Sequence, residues 1–211
     1  MKITKLGHCC LLVETAGKKI LTDPGAYSEA QNHATGVDII LITHEHPDHL
    51  HIDSLKQVMA NNPSAKIFTN RGVAALLKQA ELVFELLEHG QSRELNGLVL
   101  EGIGEKHAPI YPSVPEVVNT GYLIDEKLFY PGDAFYEPGK AVEVLALPVA
   151  GPWMKLSEAI DYAKKLKPKS VFPVHDGMLK IFGPAHRLPK SELEKSGIQF
   201  TPLETGQAME V

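Results

Sequence analysis

VDIILIT, residues 37 to 43, is a continuous apolar and β-branched run of the kind found in strands covered on both faces. A chain that contains such a strand has to supply a layer for each side of it. This strand also leads directly into HEHPDHLH, which places four of the ten histidines in eight positions, from His44 to His51. Polar side chains that can bind a metal thus open where a buried strand ends, the usual place for a site in α/β proteins.

The rest of the pattern supports a layered reading. MKITKLG, CCLLVET and KKILTD form three short β-type runs separated by turns, so an antiparallel meander is predicted at the start. IDSLKQVMANN (52–62) reads as a helix with Asp53 as its N-cap, AKIFTN as a strand and RGVAALLKQAELV as a helix. After Gly90 several strands follow in tight succession: SRELNGLVLEGIGEKH, VVNTGYLIDEKLFYPGD and VEVLALPVAG. LSEAIDYAKKLKPKS (156–170) is an amphipathic helix before the buried-type strand VFPVH, and SELEKSG adds a short last helix. Two sheets packed face to face with helices outside are expected, in one domain over residues 1–211.

Composition narrows the partners. With 44% apolar and 22% charged residues the chain can build a substantial core, and its formal charge of −5 with no basic run argues against nucleic acid. A small-molecule substrate is the expectation. No export signal or membrane span is visible, and a cytoplasmic location is expected. The only cysteines, Cys9 and Cys10, are adjacent. A disulfide wants Cα atoms ~5.5–6 Å apart, whereas neighbours sit at ~3.8 Å. They could serve as a soft-metal or redox pair, but the favoured reading puts one thiol in the core and the other facing outward on a strand.

His44 and His46, two apart in an extended segment, project to the same side and can reach one ion; Asp48 and His49 can address a neighbouring position. Imidazole and carboxylate ligands suit zinc, manganese or iron, and no nearby thiolate suggests a closed structural zinc site. Glu45 invites comparison with HExxH zinc proteases, but Asp48 stands where the second His would fall and Pro47 disfavours a helix. Glu45 is expected to be exposed.

THEHPDHL resembles the His-x-His-x-Asp-His signature of the metallo-β-lactamase superfamily. GEKHAP, YPGDA and FPVHDG follow in order, each after a β-type run, and resemble the segments carrying that family's remaining ligands. The resemblance runs from Met1 to about Gly177. It is strongest in LGHCCLLVE, ILTDPG and LALPVAGPWMKLSEAIDYAKKLKPKSVFPVH, which look most like the branch including ascorbate-6-phosphate lactonase-like proteins and N-acylphosphatidylethanolamine phospholipase D. The tail from Met178 matches nothing specific.

This resemblance implies an αββα sandwich of four layers with two mixed sheets. It implies two divalent ions, zinc first, with manganese or iron as alternatives. His44, His46 and His107 would hold one ion, Asp48, His49 and His175 the other, and Asp133 would bridge. The implied chemistry is hydrolysis of a phosphodiester or lactone by a hydroxide shared between the metals, with Asp48 also orienting it. A di-iron redox protein of the same fold, or a non-catalytic metal-binding module, is the competing reading.

Asp23 resembles the aspartate that the superfamily places beneath the metals; otherwise it is a turn residue before Pro24. His8 either lines the pocket or caps a strand end. Tyr111, Tyr136 and Trp153 are candidates for pocket wall or for packing. His186 and Arg187 could bind an anionic group, although a solvated loop is the favoured reading there. His33, His51 and His89 are read as surface or capping residues. Oligomeric state is not legible.

Overall fold

The computed structural model describes residues 1–211. Its first sheet is built from β1 (Lys2–Gly7), β2 (Cys10–Thr15), β3 (Lys18–Thr22), β4 (Ile39–Leu41), β5 (Lys66–Thr69) and β6 (Glu85–Leu86). The last strand of the chain, β14 (Ala208–Glu210), pairs with β1 and makes the sheet seven-stranded. The second sheet holds β7 (Ser92–Leu95), β8 (Leu98–Ile103), β9 (Gly121–Ile124), β10 (Leu128–Tyr130), β11 (Val144–Pro148), β12 (Ser170–Val174) and β13 (Gln199–Phe200). Both sheets are mixed. β1, β2 and β3 are antiparallel neighbours while β3 to β6 run parallel, and β7 to β10 are antiparallel while β10 to β13 run parallel.

Strand periodicity explains the layers. Ile39 and Leu41 of β4 join Ile3, Phe68, Tyr122 and Phe172 in a core between the sheets, while Ile40 and Ile42 face the opposite way, onto Leu55, Val58, Val73 and Leu77. Those last four lie on α1 (Ile52–Asn61) and α2 (Arg71–Gln79). The second sheet repeats the arrangement: Val144 and Ala146 point to the central core, and Leu145 and Leu147 pack against α3 (Leu156–Leu166) and α4 (Gly183–Glu194). Three apolar layers separate four layers of backbone, the αββα sandwich expected. No helix is long and apolar enough to cross a membrane.

Several local expectations need correction. Cys9 and Cys10 do face opposite ways, but both are buried, because the outward face of β2 lies in the helix-covered layer. His51, not Asp53, occupies the N-cap of α1, and Asp53 falls in the first turn. The last helix is longer than SELEKSG. It begins at Gly183 with Pro184 in its first turn, where a missing N–H costs nothing, and it accommodates Pro189 inside, a residue that reads in sequence as a break. His186 and Arg187 therefore lie on a helix rather than a loop.

Candidate metal centre

The predicted ligands converge at one end of the molecule, beyond the C-terminal ends of strands from both sheets. His44, His46, Asp48 and His49 follow β4; Asp133 follows β10 and His175 directly follows β12. His107 lies four residues beyond the end of β8, held by its backbone N–H donating to Val117 and by Ala108 N–H donating to the Asp133 carbonyl. His44, His46 and His107 bring their ligand atoms together in one group, and His8, Asp48, His49 and His175 do so in a second. Asp133 lies between them. One of its oxygens, Oδ1, is 3.2 Å from His49 Nε2, while Oδ2 is 2.8 Å from His175 Nε2 and 3.4 Å from His107 Nε2.

The hydrogen bonds behind these rings dictate which nitrogen faces the centre. Asp23 is fully buried at the end of β3, and its carboxylate accepts from Thr43 N–H (2.8 Å), the Thr43 hydroxyl (2.6 Å), the Tyr130 hydroxyl and His49 Nδ1 (2.7 Å). His49 therefore carries its proton on Nδ1 and turns Nε2 inward. The Thr43 hydroxyl proton is committed to Asp23, so His44 Nδ1 donates to that oxygen at 3.0 Å and its Nε2 also faces inward. Likewise His107 Nδ1 donates to the Ala108 carbonyl at 2.5 Å. In their neutral form these three imidazoles would present Nε2 lone pairs to one space. On the other side, Asn119 accepts the Asp133 backbone N–H and donates to the Pro131 carbonyl, which holds the loop bearing Asp133.

These donors fit a cation. His49 Nε2, His107 Nε2, His175 Nε2 and Asp133 Oδ1 are buried without a hydrogen-bond partner, although each of the three nitrogens lies 2.8–3.4 Å from an oxygen of Asp133. Short distances at angles unsuited to hydrogen bonding are what atoms aimed at a common point produce. Each buried unsatisfied group costs ~1–3 kcal/mol, so these four together weigh heavily against a total stability of ~5–15 kcal/mol unless a ligand satisfies them.

Electrostatics agree. Burial holds His44 well below the ordinary histidine range and also lowers His46, so both are neutral. Burial also opposes charging of His49 and His175, but Asp133 outweighs it: His49 is raised well above its usual value and His175 is pushed up to about 10. Asp48 and Asp133 would be raised by burial, yet the surrounding histidines hold both carboxyls well below the usual range. A cation entering the centre would take the place of the protons on His49 and His175.

Around this centre the other candidates sort clearly. His8 Nδ1 accepts the Gly177 N–H, and its Nε2 is 3.2 Å from Asp48 Oδ2, so the ring caps backbone and faces the centre at once. Trp153 is buried, with its ring edge-on to both His107 and His175 at 5.9 Å. Tyr111 is exposed on the rim. Tyr136 lies in an adjoining cavity beside His107 rather than in the one holding Asp48 and Asp133, because its ring packs over Gly104. His186 does not reach the centre either: it is buried, stacked on Phe182 and 2.8 Å from Asp176. The anion-binding reading of His186 and Arg187 has no geometric support.

Glu45 is half-buried rather than exposed, lying against Gly72. His33 and His51 are exposed, and His89 accepts the Gly104 N–H. Sequence reasoning missed Thr43, Tyr130 and Asn119. It also missed Cys9, whose sulfur lies near His49 and Asp133, so a thiol does stand at the back of the site. His8 (φ 46°), Asp23 (φ 35°) and His175 (φ 59°) all adopt left-handed backbone, and such strain clusters where the surroundings over-determine a functional geometry.

Two layered sheets with a histidine–aspartate centre at their parallel strand ends define the metallo-β-lactamase fold class. A family model described as "Beta-lactamase superfamily domain" matches residues 2–175, and the chain belongs to that family. It is 37% identical over 184 residues to Protein Rv0786c of Mycobacterium tuberculosis, covering 85% of each chain. It is 26% identical over 194 residues to the UPF0173 metal-dependent hydrolase MJ1163 of Methanocaldococcus jannaschii, covering 82% of this chain and 83% of that one. Among solved structures, Igni18, a metallo hydrolase from Ignicoccus hospitalis, superposes with a TM-score of 0.76 at 25% identity and covers 100% of this chain and 98% of its own.

Proposed function

We propose that this chain is a metal-dependent hydrolase with a binuclear centre acting on a small ester-like substrate, a lactone or a phosphodiester, within one domain over residues 1–211. The observation that carries the reading is the placement of Asp133 between His44/His46/His107 and Asp48/His49/His175, with partnerless buried donors facing the gap. His44, His46 and His107 would hold one divalent ion, Asp48, His49 and His175 the second, and Asp133 both. Zinc suits this imidazole and carboxylate set, with manganese or iron as alternatives. When bound, the ions supply Lewis acidity and acidify a water towards neutrality.

The chain's own groups do the rest. Asp48, partly exposed at the mouth and braced by His8, is placed to orient a water. Trp153 roofs the centre and keeps bulk water from His107 and His175. Asp23, Thr43 and Tyr130 hold His49 in one tautomer through the reaction.

The test is elemental analysis of protein purified without chelators, alongside Asp133→Ala. The expected result is about two divalent ions per chain, a loss of one or both in the variant, and a fall in ester hydrolysis of at least about 10³-fold with unchanged circular dichroism. One tightly held ion in both proteins, or full activity in the variant, would overturn the binuclear reading. Two irons with visible absorption and no hydrolysis would favour the redox alternative.

A further inference from the structure

Two connected cavities open from the centre. The first, about 310 Å³, contains Asp48, Asp133 and His175 under Trp153; the second, about 500 Å³, extends from His46 and His107 along the loop 108–117. Ile110 lines both. The character of the second cavity is unusual for an enzyme of charged metabolites. No Lys or Arg lines either cavity, and the only charged side chain along the second is Glu116. The nearest cation, Lys106, lines an adjoining cavity and is neutralised by Glu116 at 3.0 Å. A negatively charged group on the substrate's non-reacting part would meet no free cation there, because Lys106 and Glu116 are paired with each other.

The walls are apolar instead. Of the ten large apolar side chains exposed on the whole surface, four line these two cavities: Tyr27 and Met178 the first, Tyr111 and Val114 the second. Exposed apolar surface gathered beside a site marks a binding surface. The wall is also preformed. Loop 108–117 carries Pro109, Pro112 and Pro115, turns at its tip through the Val114 N–H to Tyr111 carbonyl bond, and is closed at its base by His107 N–H to Val117 carbonyl. Prolines and a closed base leave little ordering entropy to lose when an apolar group settles on it.

Resting on the hydrolase reading above, we propose that the substrate is an uncharged ester or lactone whose apolar alkyl or aryl group lies along loop 108–117. Substrates with a remote phosphate or carboxylate are thereby disfavoured, while a phosphodiester, whose charge lies at the reacting centre, is told apart by direct comparison. Specificity comes from Ile110, Tyr111 and Val114, not from the metal ligands.

The experiment uses the metal-loaded full chain with p-nitrophenyl esters from acetate to octanoate, the same acyl lengths ending in a carboxylate, and bis(p-nitrophenyl) phosphate. The expected result is kcat/KM rising about threefold per methylene until the cavity is filled, and at least about tenfold lower with the terminal carboxylate. Val114→Lys, an exposed position that leaves the core intact, should narrow or reverse that discrimination. A flat chain-length profile, or preference for the carboxylate series or the phosphodiester, overturns the proposal while the hydrolase reading stands. If none is hydrolysed, the hydrolase reading fails, and the ligand class is still decided by quenching of Trp153, the only tryptophan, with 2-alkanones of increasing length. Tightening with length supports the apolar site; no tightening overturns it.

Discussion

At the residue scale, Asp23 shows how a side chain outside the candidate ligand set governs it. Its carboxylate gathers Thr43, Tyr130 and His49, so Asp23→Asn should keep the fold while presenting a donor to His49 Nδ1 and spoiling its tautomer. Metal affinity is expected to fall about 10–100-fold in competition with a chromophoric chelator, the usual effect of removing such a partner. The shifted histidines give a second test. His49 is raised and His175 is pushed up to about 10, so near neutral pH both hold protons that a cation must displace. Metal uptake should release protons into a weakly buffered indicator solution, and apparent affinity should rise with pH across the neutral range. Uptake with no proton release would contradict this charge assignment.

Turning to the elements, the loops at the strand ends are packed without slack. Gly25 follows β3 by three residues, and a Cβ there would sit 1.8 Å from the Asp48 carbonyl oxygen. Gly25→Ala must push the 46–49 segment aside, so it should lower the metal content per chain and the Tm together. By contrast, Gly17→Ala, in the open turn between β2 and β3 at φ 70°, has no atom within 4 Å and is expected to cost only about 1 kcal/mol with full metal content. Measuring both variants separates a site held by backbone contact from a general intolerance of glycine replacement. Most strands and α1, α2 and α3 were legible because period-2 and period-3.6 apolar patterns reflect local geometry, whereas β6, β13 and β14, two or three residues each, are too short to show a period. Much of α4 was not, because Gly183, Pro184 and Pro189 read as breakers when the packing of Leu193 and His186 is out of view.

For the whole molecule, a buried ionic contact ties the two sheets together. Lys5 of β1 donates to Asp176 at 2.7 and 2.8 Å and to the Pro173 carbonyl at 2.9 Å, and Asp176 also meets His186 of α4. Lys5→Met leaves a buried carboxylate without its main partner and should cost about 3–5 kcal/mol in urea unfolding. Burial would raise Asp176, but His186 and Lys5 hold its pKa below the ordinary value of 3.8. Its contribution is therefore present above the unfolded value and lost as pH falls through the lower folded one. Acid unfolding of the native protein should accordingly begin at lower pH than that of Lys5→Met.

By itself the amino-acid sequence determined most of the strands, most of the helices and the histidine–aspartate cluster after β4, because each depends on residues close together along the chain. The order of GEKHAP, YPGDA and FPVHDG also pointed to His107, Asp133 and His175 through resemblance. Only the tertiary structure decided that Asp133 stands between the two groups, that Asp23 and Thr43 select the tautomers of His49 and His44, and that Cys9 lies behind the site. It also sent Tyr136 to a separate cavity and His186 to a buried contact with Asp176. Those outcomes depend on strand pairing, as where β3 and β4 bring Asp23 to Thr43 and His49, and on the packing of one sheet against the other, as where Tyr130 reaches Asp23 from 107 positions away, and neither has a local periodicity to announce it.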